Sequence, residues 1–429
     1  MELLDLYSIY RTSKGISIDS RKIETGMLFF ALRGENFDGN QFTDMALENG
    51  AEYCIIDDPT FDSCDKCILV EDVLTTLQDL AMYHRKQMRI PVIGITGSNG
   101  KTTTKELIVS VLSEKYNVGY TLGNLNNHIG VPLTILSLSD EIEIAVIEMG
   151  ANHPGEIALL SAISMPDYGL ITNIGRAHLE GFGSFEGVLK TKSELYDYIK
   201  SSGKKVLYNK GNNLLQDLVK QKQLDSISYI IGKGKADYSA EIIENRFYLG
   251  LKVGDHLTIQ TKLIGAYNAE NVMAAYAVGR HFGVEDQDVK VAIEEYFPEN
   301  NRSQYLEKEN NRLLLDAYNA NPTSMRLAIE NFNQTNLKNK CLVLGDMLEL
   351  GRYSREAHRE ILELVKRLDF DKVFLVGNEF EKIENDQNIL SFPDVTRLKE
   401  YLQKNPLADK TILLKASRGV GLEKLVEEL

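Results

Sequence analysis

Four cysteines in 429 residues are too few for a disulfide framework. The one close pair, Cys64-Asp-Lys-Cys67, has no second pair and no nearby histidine, so it reads as a loop coincidence rather than a zinc or redox site. Basic residues are also in deficit: 48 Lys and Arg stand against 62 Asp and Glu, a formal charge of −14. Nucleic acid is thereby excluded as a partner, because no basic surplus exists to displace counterions from its backbone. No apolar run approaches a membrane span, and the opening Met-Glu-Leu-Leu-Asp lacks the basic start of a signal peptide. Internal repeats and low-complexity tracts are missing too. These absences predict a cytoplasmic protein, and its length predicts about three domains.

What is present is organised around Pro91-Val-Ile-Gly-Ile-Thr-Gly-Ser-Asn-Gly-Lys-Thr-Thr-Thr-Lys105. A short apolar run leads into Gly97-Ser98-Asn99-Gly100-Lys101-Thr102-Thr103, and Leu107, Ile108, Val111 and Leu112 follow at helical spacing. Strand, glycine turn and helix start make a phosphate cradle. The glycines let backbone N–H groups converge on an anion, and the helix N-terminus adds a favourable dipole. Lys101 can reach the terminal phosphates, and the Thr102 hydroxyl can hold Mg²⁺. The spacing is the tight TGxxGKT form, since Ile95 stands where GxxxxGK[ST] has its first glycine. A chance turn before a core helix is the alternative, and the flanking elements disfavour it. The chain handles a nucleoside triphosphate, held by amides, Lys101 and metal rather than by a broad positive field.

Residues 1–88 read as a small α/β unit with strands at 16–20, 27–32 and 51–56 and helices at 42–48 and 73–87. Its turn-rich segment Leu32-Arg-Gly-Glu-Asn-Phe-Asp-Gly-Asn40 is a solvated loop or a ligand loop. From 89 to 300 strands and helices alternate, which predicts a mostly parallel sheet with helices on both faces. The strand at 144–149 carries Glu148 at its carboxyl end, placed either for a Mg²⁺ contact or as a capping carboxylate. The strand at 168–174 leads to His178 on the same edge, where structural and ligand roles are evenly balanced.

On the helix at 185–201, Lys190, Lys192 and Glu194 read as solvated charges. Asn268 reads as the N-cap of the helix running to His281. Phe297-Pro-Glu-Asn-Asn-Arg-Ser303 is the linker. Residues 301–429 restart the alternation, with strands at 313–317, 341–345, 373–376 and 412–415, helices at 324–333 and 356–366, and a terminal helix. That predicts a dinucleotide-fold-like domain with polar loops at 316–322 and 345–351.

Eight segments, taken in order, resemble the muramyl-peptide ligases of bacterial cell-wall synthesis, the Mur ligase family, over the whole chain. They are Asp19-Ser-Arg21 with Asp38-Gly39; Thr96-Gly-Ser-Asn-Gly-Lys-Thr102; Gly123-Asn-Leu-Asn-Asn-His-Ile-Gly-Val-Pro132; Glu148-Met-Gly-Ala-Asn-His153; Ala177-His-Leu-Glu-Gly-Phe-Gly183; Asn268-Ala-Glu-Asn271; Asp316-Ala-Tyr-Asn-Ala-Asn-Pro322; and Gly345-Asp-Met-Leu-Glu-Leu-Gly351. The last two look like those of members that add a D-alanyl-D-alanine dipeptide. Members adding the third residue typically carry Asp-Tyr-Ala-His-Thr-Pro in place of Asp316 to Asn321.

The resemblance implies an α/β protein of three domains: a UDP-substrate domain (1–88), an ATP-binding P-loop domain (89–300) and a C-terminal ligase domain for the amino substrate (301–429). It implies ATP and two Mg²⁺ as cofactors, with UDP-N-acetylmuramoyl-tripeptide and D-alanyl-D-alanine as substrates, in a monomer. Gly97 to Thr103 would wrap the ATP phosphates, Thr102 and Glu148 would hold the first metal, and His178 the second, helped by a carbamylated Lys192. Asn268 and Asn271 would take adenine, Asp316 the ribose and Arg302 the γ-phosphate. Lys101, His178, Lys192 and Arg302 form the implied catalytic set. Ser20 and Arg21 would bind UDP, Asn127 would touch substrate, and Asn319 and Asn321 the dipeptide or its acyl partner. Tyr267 and Asn40 depart from the family pattern, which often has His at both places. A sibling or folylpolyglutamate-type ligase, and a non-catalytic nucleotide sensor, are the competing readings.

Overall fold

A computed structural model describes residues 2–62, 65–244, 247–299, 301–383 and 389–429; Cys64 of the CxxC pair lies outside them. Their strands form three principal sheets. In the first, Ile16–Ser17, Leu28–Phe30, Tyr53–Ile56 and Cys67–Leu69 pair in parallel. Leu28 to Phe30 are buried throughout, as a central strand covered on both faces requires. Ser20 is not a strand end: it opens a 3₁₀ turn, Ser20–Lys22, capped by the Asp19 carboxylate.

Nine strands make the middle sheet. Its parallel part runs Tyr238–Glu244, Asp225–Ile231, Lys205–Asn209, Tyr168–Ile171, Val92–Thr96, Ile144–Glu148, Val118–Tyr120. The sheet then continues antiparallel through Tyr248–Val253 and Leu257–Ile264. Uniform βα alternation misses these last two strands. The period-2 burial of Leu257 to Ile264 is their signature, and Gly254, at φ +54, makes the turn between them. The helices Leu3–Thr12 and Val73–Gln87 join the first sheet's region to the middle one. Tyr10 donates to the Leu136 carbonyl at 2.6 Å, and Arg85 to that of Ser164 at 2.9 Å.

The third sheet has six strands, ordered Gln304–Glu307, Asn311–Asp316, Lys410–Lys415, Lys340–Gly345, Lys372–Val376, Ile389–Phe392, and only the first is antiparallel. Gln304–Glu307, Ile389–Phe392 and the helix Val395–Lys404 are additions to the sequence-based outline. The expected terminal helix is two 3₁₀ turns, Arg418–Val420 and Leu422–Leu425, because Gly421 at φ +75 breaks it. Among the described residues no helix is long and apolar enough to cross a membrane.

Candidate active site

Val92–Thr96, Tyr168–Ile171 and Ile144–Glu148 are parallel neighbours whose carboxyl ends open into a cavity of about 760 Å³. Parallel strands deliver their following loops to one edge, so residues distant in the chain meet there. Two glycines set the phosphate loop. At Gly97 (φ +148) a Cβ would stand 2.0 Å from Thr172 Oγ1, and at Gly100 (φ +76) 2.6 Å from Asn271 Oδ1. Gly100 caps the helix Lys101–Ser113, whose first turn lines the cavity, where a helix N-terminus favours an anion.

The rest of the loop is pinned from the neighbouring strand end. Asn99 N–H donates to Asn173 Oδ1 at 3.0 Å, and its carbonyl accepts from Thr172 Oγ1 at 2.6 Å. Ser98 Oγ donates to the Gly175 carbonyl and accepts from the Gly175 N–H. Lys101 Nζ bends back to the Gly97 carbonyl at 2.8 Å. Burial pushes its pKa down; Glu148 opposes that shift and Arg302 adds to it.

Glu148 is 1 % exposed. Its Oε1 accepts from Asn126 Nδ2 at 2.8 Å, whereas Oε2 is buried with no partner. Such an oxygen is costly unless a cation takes it up. With Thr102 also lining the cavity, the donor set fits Mg²⁺, which takes one or two protein oxygens and completes its shell with water and phosphate. Among the described residues no three His, Cys, Asp or Glu side chains converge, as expected for so sparse a protein contribution.

Lys192 overturns the solvated-charge reading. It is 1 % exposed, on the buried stripe of Val188, Leu195, Tyr196 and Ile199 along the helix Phe185–Ser202. Its Nζ lies 3.4 Å from the Ala151 carbonyl and over the Phe182 ring. Burial, then repulsion from Lys101, pushes its pKa well below the usual lysine range. Lys192 sits behind Ala151, which lines the cavity. A buried, neutral-leaning amine fits carbamylation, which needs the unprotonated form. Glu194 is likewise not free: it accepts from Gly155 N–H and Ala158 N–H, both at 2.9 Å, and caps the helix Glu156–Ser164. Lys190 alone of the three is exposed.

His178 lines the cavity in the left-handed region, φ +51. Its Nδ1 meets the Glu349 carboxylate, which arrives from the third sheet's loops, although the approach leaves Nδ1 without a well-formed hydrogen bond. The contact holds the Glu349 carboxyl below its usual range. Backbone bonds reinforce this meeting, with Glu180 N–H donating to the Glu349 carbonyl at 3.1 Å.

The far wall carries Arg302, over the Tyr318 ring with 3.5 Å from guanidinium carbon to ring centroid, together with Asp316 and Asn319. Asp316 pairs with the buried Lys415 at 2.6 Å. Asn321 spans the walls: its Nδ2 donates to Asn99 Oδ1 at 2.7 Å, and its Oδ1 accepts from Ser324 N–H in a capping box. Asn321 thereby bridges the phosphate loop to the helix Pro322–Gln334, with one amide N–H and one oxygen lone pair beyond these two bonds.

Asn268 is not an N-cap. Tyr267 holds that place, and Asn268 Nδ2 donates to the Ile264 carbonyl at 2.8 Å. Asn271 Nδ2 donates to Asn268 Oδ1, and its own Oδ1 accepts from Thr104 Oγ1 beside Gly100. The pair lines the cavity and buttresses the phosphate loop. Asn127 Oδ1 accepts from Ile129 and Gly130 N–H groups, so it is Asn126 that reaches Glu148. Tyr267 donates or accepts at Ser303 Oγ, 3.0 Å away. Asn40 is fully buried between Asp38 and Asp57 and braces its loop. Ser20 and Arg21 lie outside this cavity, in the first sheet's region, with Arg21 paired, among the described residues, to Asp19. Asn126, Glu349 and Lys415 are the residues that sequence reasoning passed over.

Three family descriptions match consecutive parts of the chain: "Mur ligase family, catalytic domain" at residues 12–94, "Mur ligase middle domain" at 95–279 and "Mur ligase, glutamate ligase domain" at 301–418. The chain is 36% identical to the UDP-N-acetylmuramoyl-tripeptide–D-alanyl-D-alanine ligase of Bacillus subtilis, covering 97% of this chain and 93% of that protein. To the Escherichia coli protein of the same name it is 34% identical, covering 97% and 94%. The crystal structure of MurF from Acinetobacter baumannii superposes with a TM-score of 0.89 at 31% identity, over 100% of this chain and 98% of that one. MurF ligase from Thermotoga maritima in complex with ADP gives 0.85 at 31% identity, over 98% and 97%. With three consecutive family matches and near full-length relatives above 30% identity, this chain belongs to the Mur ligase family.

Proposed function

We propose that this chain is an ATP-dependent ligase that joins D-alanyl-D-alanine to UDP-N-acetylmuramoyl-tripeptide, releasing ADP and phosphate, in cytoplasmic cell-wall synthesis. The observation that carries the chemistry is one cavity bounded by Lys101, Thr102, Glu148 and His178 on one wall and by Arg302 and Asp316 on the other. Near full-length likeness to relatives named for this reaction carries the substrate choice.

A carboxylate is a poor electrophile, so it must first be activated. The tripeptide carboxylate attacks the γ-phosphorus of ATP, breaking the bond to ADP and giving an acyl phosphate. Two anions approach each other in that step, and Lys101 and Arg302 supply the opposing charge from fixed positions. The dipeptide amine then attacks the acyl carbon, phosphate leaves, and the amine's proton is lost to solvent or a base. Mg²⁺, when bound through Thr102 and the free oxygen of Glu148, would screen the phosphate charge; a second ion would be held by His178 and carbamylated Lys192. Gly97 to Thr103 bind the phosphates, with adenine lying toward Asn268 and Asn271 and the ribose toward Asp316.

The domain division is 1–88 for the UDP-sugar, 89–300 for ATP and 301–429 for the dipeptide, in a monomer. Ser20 and Arg21 hold the uridine nucleotide, and Asn127 and Asn319 face the peptide substrates. Placing three substrates on three hinged parts recovers up to roughly 7–11 kcal/mol through proximity.

The test is phosphate release from ATP with UDP-N-acetylmuramoyl-tripeptide, with and without D-alanyl-D-alanine. Release that needs both substrates is expected. Release with L-lysine or glutamate but not the dipeptide would move the chain to a sibling activity, and no release with any amine would leave a nucleotide sensor.

A further inference from the structure

The segment Asp346–Gly351 reaches from the third sheet to the ATP side of the cleft, and a histidine outside every motif fixes it. His358 lies on the helix Ser354–Lys366 and is 0 % exposed. Its Nδ1 stands 2.7 Å from the Ser354 carbonyl, a group that can only accept. Its Nε2 takes the Met347 N–H at 3.0 Å, a group that can only donate. The two contacts are compatible with one state alone: neutral imidazole, proton on Nδ1.

The rest of the segment is anchored around that bond. Leu348 N–H donates to Ser417 Oγ at 2.9 Å. The Asp346 carboxylate accepts from Glu379 and Phe380 N–H groups at 2.9 and 3.0 Å. Two residues beyond Met347, Glu349 meets His178 and accepts Glu180 N–H. Further on, Tyr353 OH donates to the Gly183 carbonyl at 3.3 Å.

We propose that His358 is a positioning residue for the ligase reaction, whose neutral Nδ1–H tautomer holds the Met347 amide and so sets the reach of Glu349 onto the His178 loop. Protonating Nε2 would remove the acceptor from Met347 and set two donors against each other. Asp346, Glu379 and Lys382 are the charged groups facing the ring, with Asp346 Oδ1 3.6 Å from Nε2 and Phe380 edge-on at 4.6 Å. Burial outweighs the Ser354 carbonyl and the two carboxylates and holds the ring's pKa below the usual histidine value. The unfolded chain therefore binds the proton more readily, and the brace persists below the ordinary histidine range and is lost as pH falls through the folded ring's lowered pKa.

The effect on turnover rests on the ligase reading, whereas the tautomer does not, so the two can fail separately. In the full-length protein without substrates, nitrogen NMR of the imidazoles is expected to show one ring as Nδ1–H, with its signal absent from His358→Gln. His358→Ala is expected to lose about 10–100-fold in kcat with the KM for ATP changed by less than about threefold, since misplacement of a reacting group acts on turnover. His358→Gln, whose amide oxygen replaces Nε2 without titrating, is expected to recover most of that loss and to lack one ionisation on the acid limb of the pH profile. An Nε2–H tautomer, or an acid limb identical in wild type and His358→Gln, overturns the proposal. Should His358→Ala not fold, the tautomer and the His358→Gln profile still decide it.

Discussion

The cavity floor and the face of the first sheet treat their charged groups in opposite ways. At the floor, Glu148 and, just behind it, Lys192 are withdrawn from water and held by Asn126 and Ala151 from other strand ends, while half-buried Lys101 folds back on its own loop at Gly97. On the first sheet's face, Arg21 has a side chain 81% exposed and, among the described residues, pairs with Asp19 two residues away. A buried charge costs several kcal/mol unless something repays it. A chain keeps such groups where protonation, metal or phosphate supplies the repayment. An exposed pair costs little and contributes little to stability. On the proposed function, the floor would be the machinery of the reaction and the first face its recognition surface.

The largest expected effect is at Lys101. Lys101→Met keeps the stem and removes the charge proposed to meet the phosphates, and kcat should fall by about 10²–10³-fold, the range for losing one fixed transition-state donor. Single-turnover formation of ADP measures it. Wild-type turnover in that variant would break the contrast, because the ammonium would then have no chemical use.

Arg302 tests whether the far wall belongs to the same machinery. Its guanidinium lies on Tyr318 and is close enough to Lys101 to lower that lysine's pKa. Arg302→Ala should lower kcat by about a hundredfold while the KM for the UDP-substrate moves by less than about threefold. Equal losses in both would place Arg302 with uniform binding, on the recognition side.

Lys192 sharpens the floor's half of the comparison. Carbamylation joins the neutral amine nitrogen to the carbon of CO₂ and releases a proton. Burial keeps that amine unprotonated at pH values where a solvated lysine is charged, and acidification reverses this. Activity should drop about tenfold on removing CO₂, return with bicarbonate, and need more bicarbonate at lower pH. Indifference to CO₂ would leave Lys192 as a buried amine with a purely local role.

The phosphate loop was legible because its demands are on backbone and glycine, which a linear pattern records. Lys192 was legible only through resemblance, yet its position was in the periodicity: Val188, Lys192, Leu195, Tyr196 and Ile199 share one stripe, and a lysine on an apolar stripe is the signal. Asn126 and Asn127 are adjacent and chemically identical, and only the fold decides which one meets Glu148. Glu349 and His178 come from different sheets, and no local pattern records their meeting. The strands Tyr248–Val253 and Leu257–Ile264 were missed because βα alternation was extended past the point where it stops.

Arg21 should give the smallest effect and the cleanest discrimination. Its guanidinium is solvated before substrate arrives, so a uracil nucleotide or its phosphates would find a charge that needs no desolvation from a buried partner. The Asp19 carboxylate fixes its direction through two contacts of 2.9 Å. Arg21→Ala should therefore raise the KM for UDP-N-acetylmuramoyl-tripeptide by about fivefold to tenfold with kcat unchanged, the signature of lost uniform binding. Initial rates over a range of that substrate at saturating ATP and dipeptide measure it. If kcat fell instead with KM intact, the first face would be taking part in the chemical step, and the exposed and buried halves of the molecule would no longer divide recognition from reaction.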